Sequence, residues 1–269
     1  MPDQTIILIT GANTGLGYEI VKSLYSNSAR SYHIILGARS IDKAHAAIES
    51  LKSIKIDNDP PSTLAAVQID LESDASISAA FEVIQKTHQR IDALVNNAGA
   101  ALDNDITSSR LTPREGWNKG YDINVTGTQI VSATFMPLLL KSKDPRLLFV
   151  TSGLSTLQGA GNPNSPRYVN PPAGWPKPQG LSFISYRSSK AALNMMMLDW
   201  HRVLKNDGAK VWCISPGMLA TGLGGMPEML KKIGAEDPAV GGDFVRDVLE
   251  GKRDADVGKV IDRAGIQPW

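Results

Sequence analysis

The sequence predicts an α/β fold: a doubly wound, mainly parallel sheet of seven strands with helices on both faces. Three observations predict it. Short runs rich in β-branched and aliphatic residues recur along the 269 residues. Longer stretches between them carry apolar residues at three- and four-residue spacing, and the short runs are apolar throughout. Strands apolar on both faces need cover on both, which helical crossovers between parallel strands provide. In order, the strand runs are TIILIT, YHIILGA, TLAAVQID, IDALVNN, RLLFVTS, KVWCIS and a short KVID. Helical spacing appears in YEIVKSLYSNS, IDKAHAAIESLKSI, ASISAAFEVIQKTHQ and the long TPREGWNKGYDINVTGTQIVSATFMPLLLKS. Ligands of such sheets bind beyond the carboxyl ends of the strands, where the winding reverses.

One segment breaks the alternation. Gly159 to Gly180 holds six prolines and four glycines in 22 residues, so an irregular excursion is expected there. With no internal repeat, long charge run or linker, the whole of residues 1–269 is expected to form a single domain. Lys plus Arg is 28 and Asp plus Glu is 27, a formal charge of +1. That balance gives no electrostatic ground for a nucleic-acid or anionic-membrane partner. Apolar stretches fall short of the roughly twenty residues a membrane span needs. The opening MPDQTIILIT has no basic leader, and IQPW matches no lipidation or peroxisomal tag. The single cysteine, Cys213, reads as a small buried hydrophobe in a reducing compartment. The expected location is the cytoplasm. The sequon-like NVT at Asn124 reads as chance, and Met195, Met196 and Met197 as core or subunit contact. His33, His45, His88 and His201 show no metal-ligand spacing, so no metal is expected.

The first strand runs straight into a glycine-rich turn and a helix start, ITGANTGLGYEIV. Gly11, Gly15 and Gly17 allow close backbone approach to a pyrophosphate; Asn13, Thr14 and Leu16 complete the turn, and free amides at the helix start favour negative charge. The spacing is G-x-x-x-G-x-G rather than the general dinucleotide G-x-G-x-x-G. After the second strand come Arg39 and Ser40, with no carboxylate before Asp42. A carboxylate there would hold a ribose 2′-hydroxyl, whereas a guanidinium clamps a 2′-phosphate, so NADP(H) is expected over NAD(H). Asp70 and Leu71, ending the third strand, are placed to line an adenine; the other reading of Asp70 is a cap for the next helix.

Further on, Asn97, Ala98 and Gly99 of NNAG suit close backbone approach after the fourth strand. Asn124 lies deep in a helical pattern, where an amide is unfavourable without a partner. Ser152 stands just beyond the fifth strand. Tyr186 and Lys190, in YRSSK, share one helix face at i and i+4.

Together these motifs resemble the short-chain dehydrogenase/reductase family in its compact, carbonyl-reductase-like branch, a Rossmann-type fold. The matching stretches are TGANTGLG (10–17), NNAG (96–99), Asn124, Ser152, YRSSK (186–190) and SPGMLAT (215–221), in family order. The resemblance implies NADPH-dependent reduction of a ketone or aldehyde. Tyr186 would be the proton donor, Lys190 the cation that lowers its pKa and holds the nicotinamide ribose, and Ser152 the substrate's hydrogen-bond partner. Asn124 would hold a water beside the lysine, and Thr221, after Pro216 and Gly217, would contact the carboxamide. Thirty-three residues separate Ser152 from Tyr186 against about a dozen often found in the family, the excess being the Pro/Gly-rich segment. That insertion either roofs the pocket, with Tyr168 and Trp175 as apolar walls, or packs on itself at the surface. Leu154, Met218 and Met226 complete the substrate candidates, the last two in a loop near 218–235. The resemblance also implies a small carbonyl or alcohol partner and a homodimer or homotetramer. Rival readings are an NAD-linked alcohol dehydrogenase and an NADP-binding sensor without turnover.

Overall fold

The computed structural model describes residues 4–28, 30–54, 61–165, 168, 170–177 and 183–269. Seven strands, β1 (Thr5–Thr10), β2 (Tyr32–Ala38), β3 (Thr63–Gln68), β4 (Ala93–Asn96), β5 (Arg146–Val150), β6 (Lys210–Ile214) and β7 (Val260–Ile261), form one sheet in the order β3-β2-β1-β4-β5-β6-β7. Every pairing is parallel, with Leu8 opposite Ile35 and Leu94, and Leu148 opposite Trp212. All seven strand runs of the sequence are therefore strands.

The absence of polar alternation has a direct cause. Successive side chains of a strand point to opposite faces, and here both faces are covered. Ile7 and Ile9 enter the core beneath α1 (Gly15–Ser26), α2 (Ile41–Lys52) and α10 (Pro238–Leu249). Leu8, between them, enters the other core, built with α3 (Asp74–His88), α6 (Thr128–Leu139) and α8 (Ile184–Val203). All three are fully buried, each side chain contributing roughly 1.5–3 kcal/mol of apolar transfer.

The winding reverses between β1 and β4, neighbours in the sheet but separated in sequence by two strands. The crevice at their carboxyl ends is where the glycine turn and NNAG emerge. The long helical pattern expected over 112–142 is not one helix. It divides into α5 (Pro113–Tyr121), a wide π-helical turn at Asp122–Gly127, and α6. Thr112 and Glu115 form a capping box at the start of α5. The π-turn lies where Gly127 meets Leu71: a Cβ at Gly127 would fall 2.2 Å from the Leu71 carbonyl oxygen.

Short helices α4 (Asp103–Thr107), α7 (Leu157–Ala160) and α9 (Pro227–Lys232) line the carboxyl-end rim. Apart from α7 at its entry, the described part of 159–180 is irregular, as its prolines require; positions 166, 167, 169 and 178–180 lie outside the described residues. The methionine run divides: Met197 is fully buried, Met196 packs at the core edge and Met195 is exposed. The Asn124 amide is buried, which disposes of the sequon. No helix among the described residues is long and apolar enough to cross a membrane.

Candidate active site

The rim is built first by stitching β1 to β4. The Thr10 hydroxyl accepts hydrogen bonds from the amides of Asn97 (3.1 Å) and Ala98 (3.0 Å). In return Asn97 Nδ2 donates to the carbonyls of Thr10 (2.9 Å) and Gly11 (3.2 Å). The glycine requirement is steric at two positions. Gly11 has φ +63°, the left-handed region, and a Cβ at Gly17 would sit 2.2 Å from the Gly11 oxygen and 2.6 Å from Asn97 Nδ2. Asn13 and Thr14 form the turn between. Thr14 is the N-cap of α1 yet makes no side-chain cap bond, so the first amides of α1 have no local side-chain acceptor. Leu16 turns its side chain toward α10 at Gly241. Opposite the turn stands Thr221, whose Cβ lies 3.6 Å from where a Gly15 Cβ would be. Pro216 packs near Gly241, and Gly217 has φ +101°.

Beyond the carboxyl end of β2, Arg39 is exposed (72%), and its nearest ionic partner is Glu72 at 3.9 Å. Ser40 caps α2, its hydroxyl accepting from the Lys43 amide at 3.4 Å. The alternative role of Asp70 as a helix cap is corrected: Ser73 caps α3, accepting from the Ser76 amide at 3.2 Å, while Asp70 closes a local turn by accepting from the Glu72 amide. Leu71 is buried in the core.

The reacting end brings β4, β5, the π-turn and α8 together. Asn124 finds the partners that a helical amide needs. Its Oδ1 accepts from the Ala100 amide at 2.8 Å; its Nδ2 donates to the Ala100 carbonyl (2.8 Å) and to Ser189 Oγ on α8 (2.9 Å). Both amide hydrogens are thus committed to protein. A Cβ at Gly99 would approach Asn124 Oδ1 to 3.0 Å and Lys190 Nζ to 3.3 Å, so the glycine of NNAG makes room for these two groups. Lys190, buried on α8, donates from Nζ to the Val150 carbonyl at 2.7 Å, and this Nζ is 5.8 Å from the Tyr186 ring centre. Ser152 stands near enough to the Tyr186 phenol to favour its charged form. Lys190 and Tyr186 therefore converge with Ser152 and Asn124 in one place.

Their ionisation differs from the expectation in one respect. The spacing in YRSSK predicts that Lys190 pulls the phenol down toward neutrality. In the chain alone burial dominates and pushes Tyr186 up to about 12, Ser152 opposing in part, with no resolved contribution from Lys190. The same burial pushes Lys190 down to about 8, slightly opposed by Cys213. Loss of water penalises the charged form of each, phenolate and ammonium alike. The Cys213 thiol, fully buried, is pushed up, in keeping with an inert core role.

Several residues of this site carry no local signal. Thr10 lies inside an apolar strand run. Asp103, buried, accepts from the amides of Ser185 (2.9 Å) and Tyr186 (3.1 Å). Gln267, also buried, donates from Nε2 to the Ser152 carbonyl and to Ser155 Oγ, each at 3.3 Å. Thr151 Oγ1 is bonded to Asn194 Oδ1 at 2.7 Å beneath the serine turn. Long-range pairs of this kind leave only single polar letters in the sequence.

Of the substrate candidates, Leu154 lies in the turn after Ser152, its amide bonded to Ser152 Oγ at 3.2 Å. Met218 and Met226 flank Thr221 in the 218–235 segment, which includes α9. Tyr168 is 39% exposed and Trp175 87% exposed, so neither is packed as a wall in the chain alone. The rings of His33, near the start of β2, and His88 lie 4.5 Å apart. Among the described residues no group of three or more His, Cys, Asp or Glu is placed to hold a metal ion.

Comparison with known proteins agrees with this architecture. The short chain dehydrogenase family profile matches residues 5–166. The short-chain dehydrogenase/reductase eupG of a Phoma species is 49% identical over 279 aligned residues, covering 99% of this chain and 98% of its own. The corresponding tropE of Talaromyces stipitatus is 43% identical over 277, covering 100% and 99%. Among solved structures, the NADPH-bound carbonyl reductase from chicken fatty liver has a TM-score of 0.75 at 22% identity, with 99% of each chain covered. A short-chain dehydrogenase from Shigella flexneri, complexed with NADP, has a TM-score of 0.70 at 22% identity, with 96% of each covered. The chain is therefore an oxidoreductase of the short-chain dehydrogenase/reductase family.

Proposed function

We propose that the protein reduces a ketone or aldehyde to an alcohol with NADPH. The observation that carries this reading is the convergence of Ser152, Tyr186 and Lys190 beside a glycine turn whose side chains are excluded by contact. That turn fits a dinucleotide: a side chain at Gly17 has no room, and the first amides of α1 lack a side-chain cap. Gly11, Asn13, Thr14, Gly15, Leu16 and Gly17 would hold the pyrophosphate, Asp70 and Leu71 the adenine, and Asn97, Ala98, Gly99, Pro216, Gly217 and Thr221 the nicotinamide half. Arg39, exposed and only loosely paired with Glu72, would clamp the 2′-phosphate together with the α2 start at Ser40. Support also comes from the NADP and NADPH in the Shigella and chicken structures.

When bound, the dinucleotide supplies hydride to the carbonyl carbon. The chain supplies the proton. With its ionisation pushed up to about 12, Tyr186 holds its proton across the neutral range and can pass it to the oxygen as negative charge develops there. Ser152 fixes that oxygen by a hydrogen bond. The phenolate left behind is stabilised by Lys190, whose titration near pH 8 suits it to regain and relay a proton at neutral pH. Asn124 holds Ala100 and Ser189 in register around the lysine; the Oδ1 lone pair left over is where it would keep a water. The 159–180 segment, with Tyr168 and Trp175, and the loop bearing Met218 and Met226 would close over a bulky apolar substrate beside Leu154.

The test is a panel of carbonyl compounds followed by NADPH absorbance, repeated with NADH and with Tyr186→Phe. NADPH should be oxidised in preference to NADH. The phenylalanine variant should lose about 10²–10⁴-fold in kcat while binding NADPH as before. Near-normal turnover by Tyr186→Phe would refute the proton-donor role. An NADH preference would make the enzyme an NAD-linked dehydrogenase, and tight NADPH binding without turnover of any carbonyl would make it a sensor.

A further inference from the structure

We infer that Asp103 is the positioning residue for Tyr186, clasping the first turn of α8 so that the phenol reaches Ser152. This rests on the reductase reading above and adds a residue to it. The need for a clasp follows from how α8 begins. Its N-cap is Phe183, which offers no side-chain acceptor, and the helix is entered from the Pro/Gly-rich segment. Helix starts leave their first amides unpaired, and a local Ser, Thr, Asp or Asn usually meets them. Here the acceptor comes from 82 and 83 residues earlier. Asp103 Oδ1 accepts from Ser185 at 2.9 Å and Oδ2 from Tyr186 at 3.1 Å. One carboxylate thus spans two successive amides, and the second belongs to the proton donor itself.

The other end of the clasp is equally fixed. Three residues before Asp103, both backbone groups of Ala100 are held by the Asn124 side chain at 2.8 Å. Asn124 also donates to Ser189 Oγ, which donates to the Tyr186 carbonyl at 2.8 Å. The first turn of α8 is therefore held by Asp103 directly and, through Asn124 and Ser189, is tied to the same strap, residues 100–103, which continues directly from the NNAG turn. Beside that strap, a Cβ at Gly224 of the substrate loop would be 3.7 Å from Ala101 Cβ. Asp103 is 5% exposed, and its charge is matched by two amides and the positive end of the α8 dipole. It bonds to backbone rather than to the phenol, so its effect is on where the phenol stands. Misplacement by about 1 Å at a reacting group costs about 10²-fold in rate.

The experiment compares Asp103→Asn and Asp103→Ala with the wild type and with Tyr186→Phe, using NADPH and para-nitrobenzaldehyde. It adds hydrogen-deuterium exchange on the NADPH-loaded protein. Asp103→Ala should lose about 10- to 100-fold in kcat, with KM and NADPH Kd within about threefold. Asp103→Asn, which keeps one acceptor, should lose less. The solvent deuterium isotope effect on kcat should rise in both, because proton donation becomes the slower step. The amides of Ser185 and Tyr186 should exchange faster while those near Leu193 and Met197 stay protected. The inference is overturned by a kcat within twofold of wild type, by unchanged exchange at the first turn, or by kcat, NADPH affinity and exchange along all of α8 declining together. If Asp103→Ala does not fold, the isosteric Asp103→Asn decides alone. Normal turnover by Tyr186→Phe would overturn the reductase reading instead, and the exchange measurement would still decide whether Asp103 clasps the helix.

Discussion

The two ends of the crevice are built on opposite physical terms. At the reacting end, Lys190, Asn124 and Ser189 are buried, their side-chain hydrogen bonds are 2.7–2.9 Å long, and lost hydration is the main cause that pushes Tyr186 up to about 12 and Lys190 down to about 8. At the adenosine end, Arg39 stands in solvent beside a carboxylate at 3.9 Å, a pair worth little when exposed. Buried groups are costly to hold and rigid once held, which suits proton transfer at a fixed distance. Exposed charge is cheap, salt-screened and replaceable, which suits the choice between two cofactors that differ by one phosphate. If the proposed roles hold, chemistry and cofactor preference are separable by mutation.

The largest effect expected from this contrast is at Lys190. Its folded pKa of about 8 lies below the unfolded 10.5, so the buried ammonium is a destabilising charge. The penalty is fully present below pH 8 and is relieved as pH rises from 8 to 10.5, where the unfolded chain binds more protons. Its size is on the order of 3 kcal/mol. In Lys190→Met the charge is gone. The stability of the cofactor-free variant relative to wild type should be most favourable below pH 8 and should decline through that window, as read from denaturant unfolding at several pH values. A difference that is flat in pH would show that the ammonium is not desolvated as its surroundings imply.

Next in size is Arg39→Ala. Removing a guanidinium that pairs with a 2′-phosphate should weaken NADPH binding by roughly ten- to a hundredfold, leaving NADH binding within about twofold. The NADPH loss should shrink as salt is raised from 50 mM upward, because Arg39 is exposed. Calorimetric titration with both cofactors measures it, and equal losses for the two would remove Arg39 from cofactor choice.

How much of this was legible before folding depended on range. The strands were, because an apolar run between helical stretches is a local pattern, and so was the family, because TGANTGLG, NNAG and YRSSK each lie within a few letters. The π-turn was not, since Gly127 is needed only because Leu71 lies against it. The roles of Thr10, Asp103 and Gln267 come from bonds spanning 82 to 115 positions, and nothing near them in sequence distinguishes them from other polar letters. The phenol's direction of shift also required the fold: YRSSK gives the lysine's spacing, but only burial says that desolvation outweighs it.

The smallest expected effect tests whether the buried end stays rigid without its outermost support. Gln267 reaches from beyond β7 to the Ser152 carbonyl and Ser155 Oγ. Ser155 Oγ already donates to the same carbonyl at 2.6 Å, and the Trp269 carbonyl separately holds Thr156 Oγ1 at 3.0 Å and the Gln158 amide at 2.6 Å. The serine turn is thus held redundantly, and one neutral bond of this kind contributes about 1 kcal/mol. Gln267→Leu should raise KM for a carbonyl substrate about two- to fivefold through a looser Ser152, with kcat and NADPH Kd nearly unchanged. A loss as large as that expected for Asp103→Ala would mean that Ser152, rather than Tyr186, is the least securely held member of the site. The contrast between a rigid reacting end and an adaptable adenosine end would then have to be drawn within the reacting end itself.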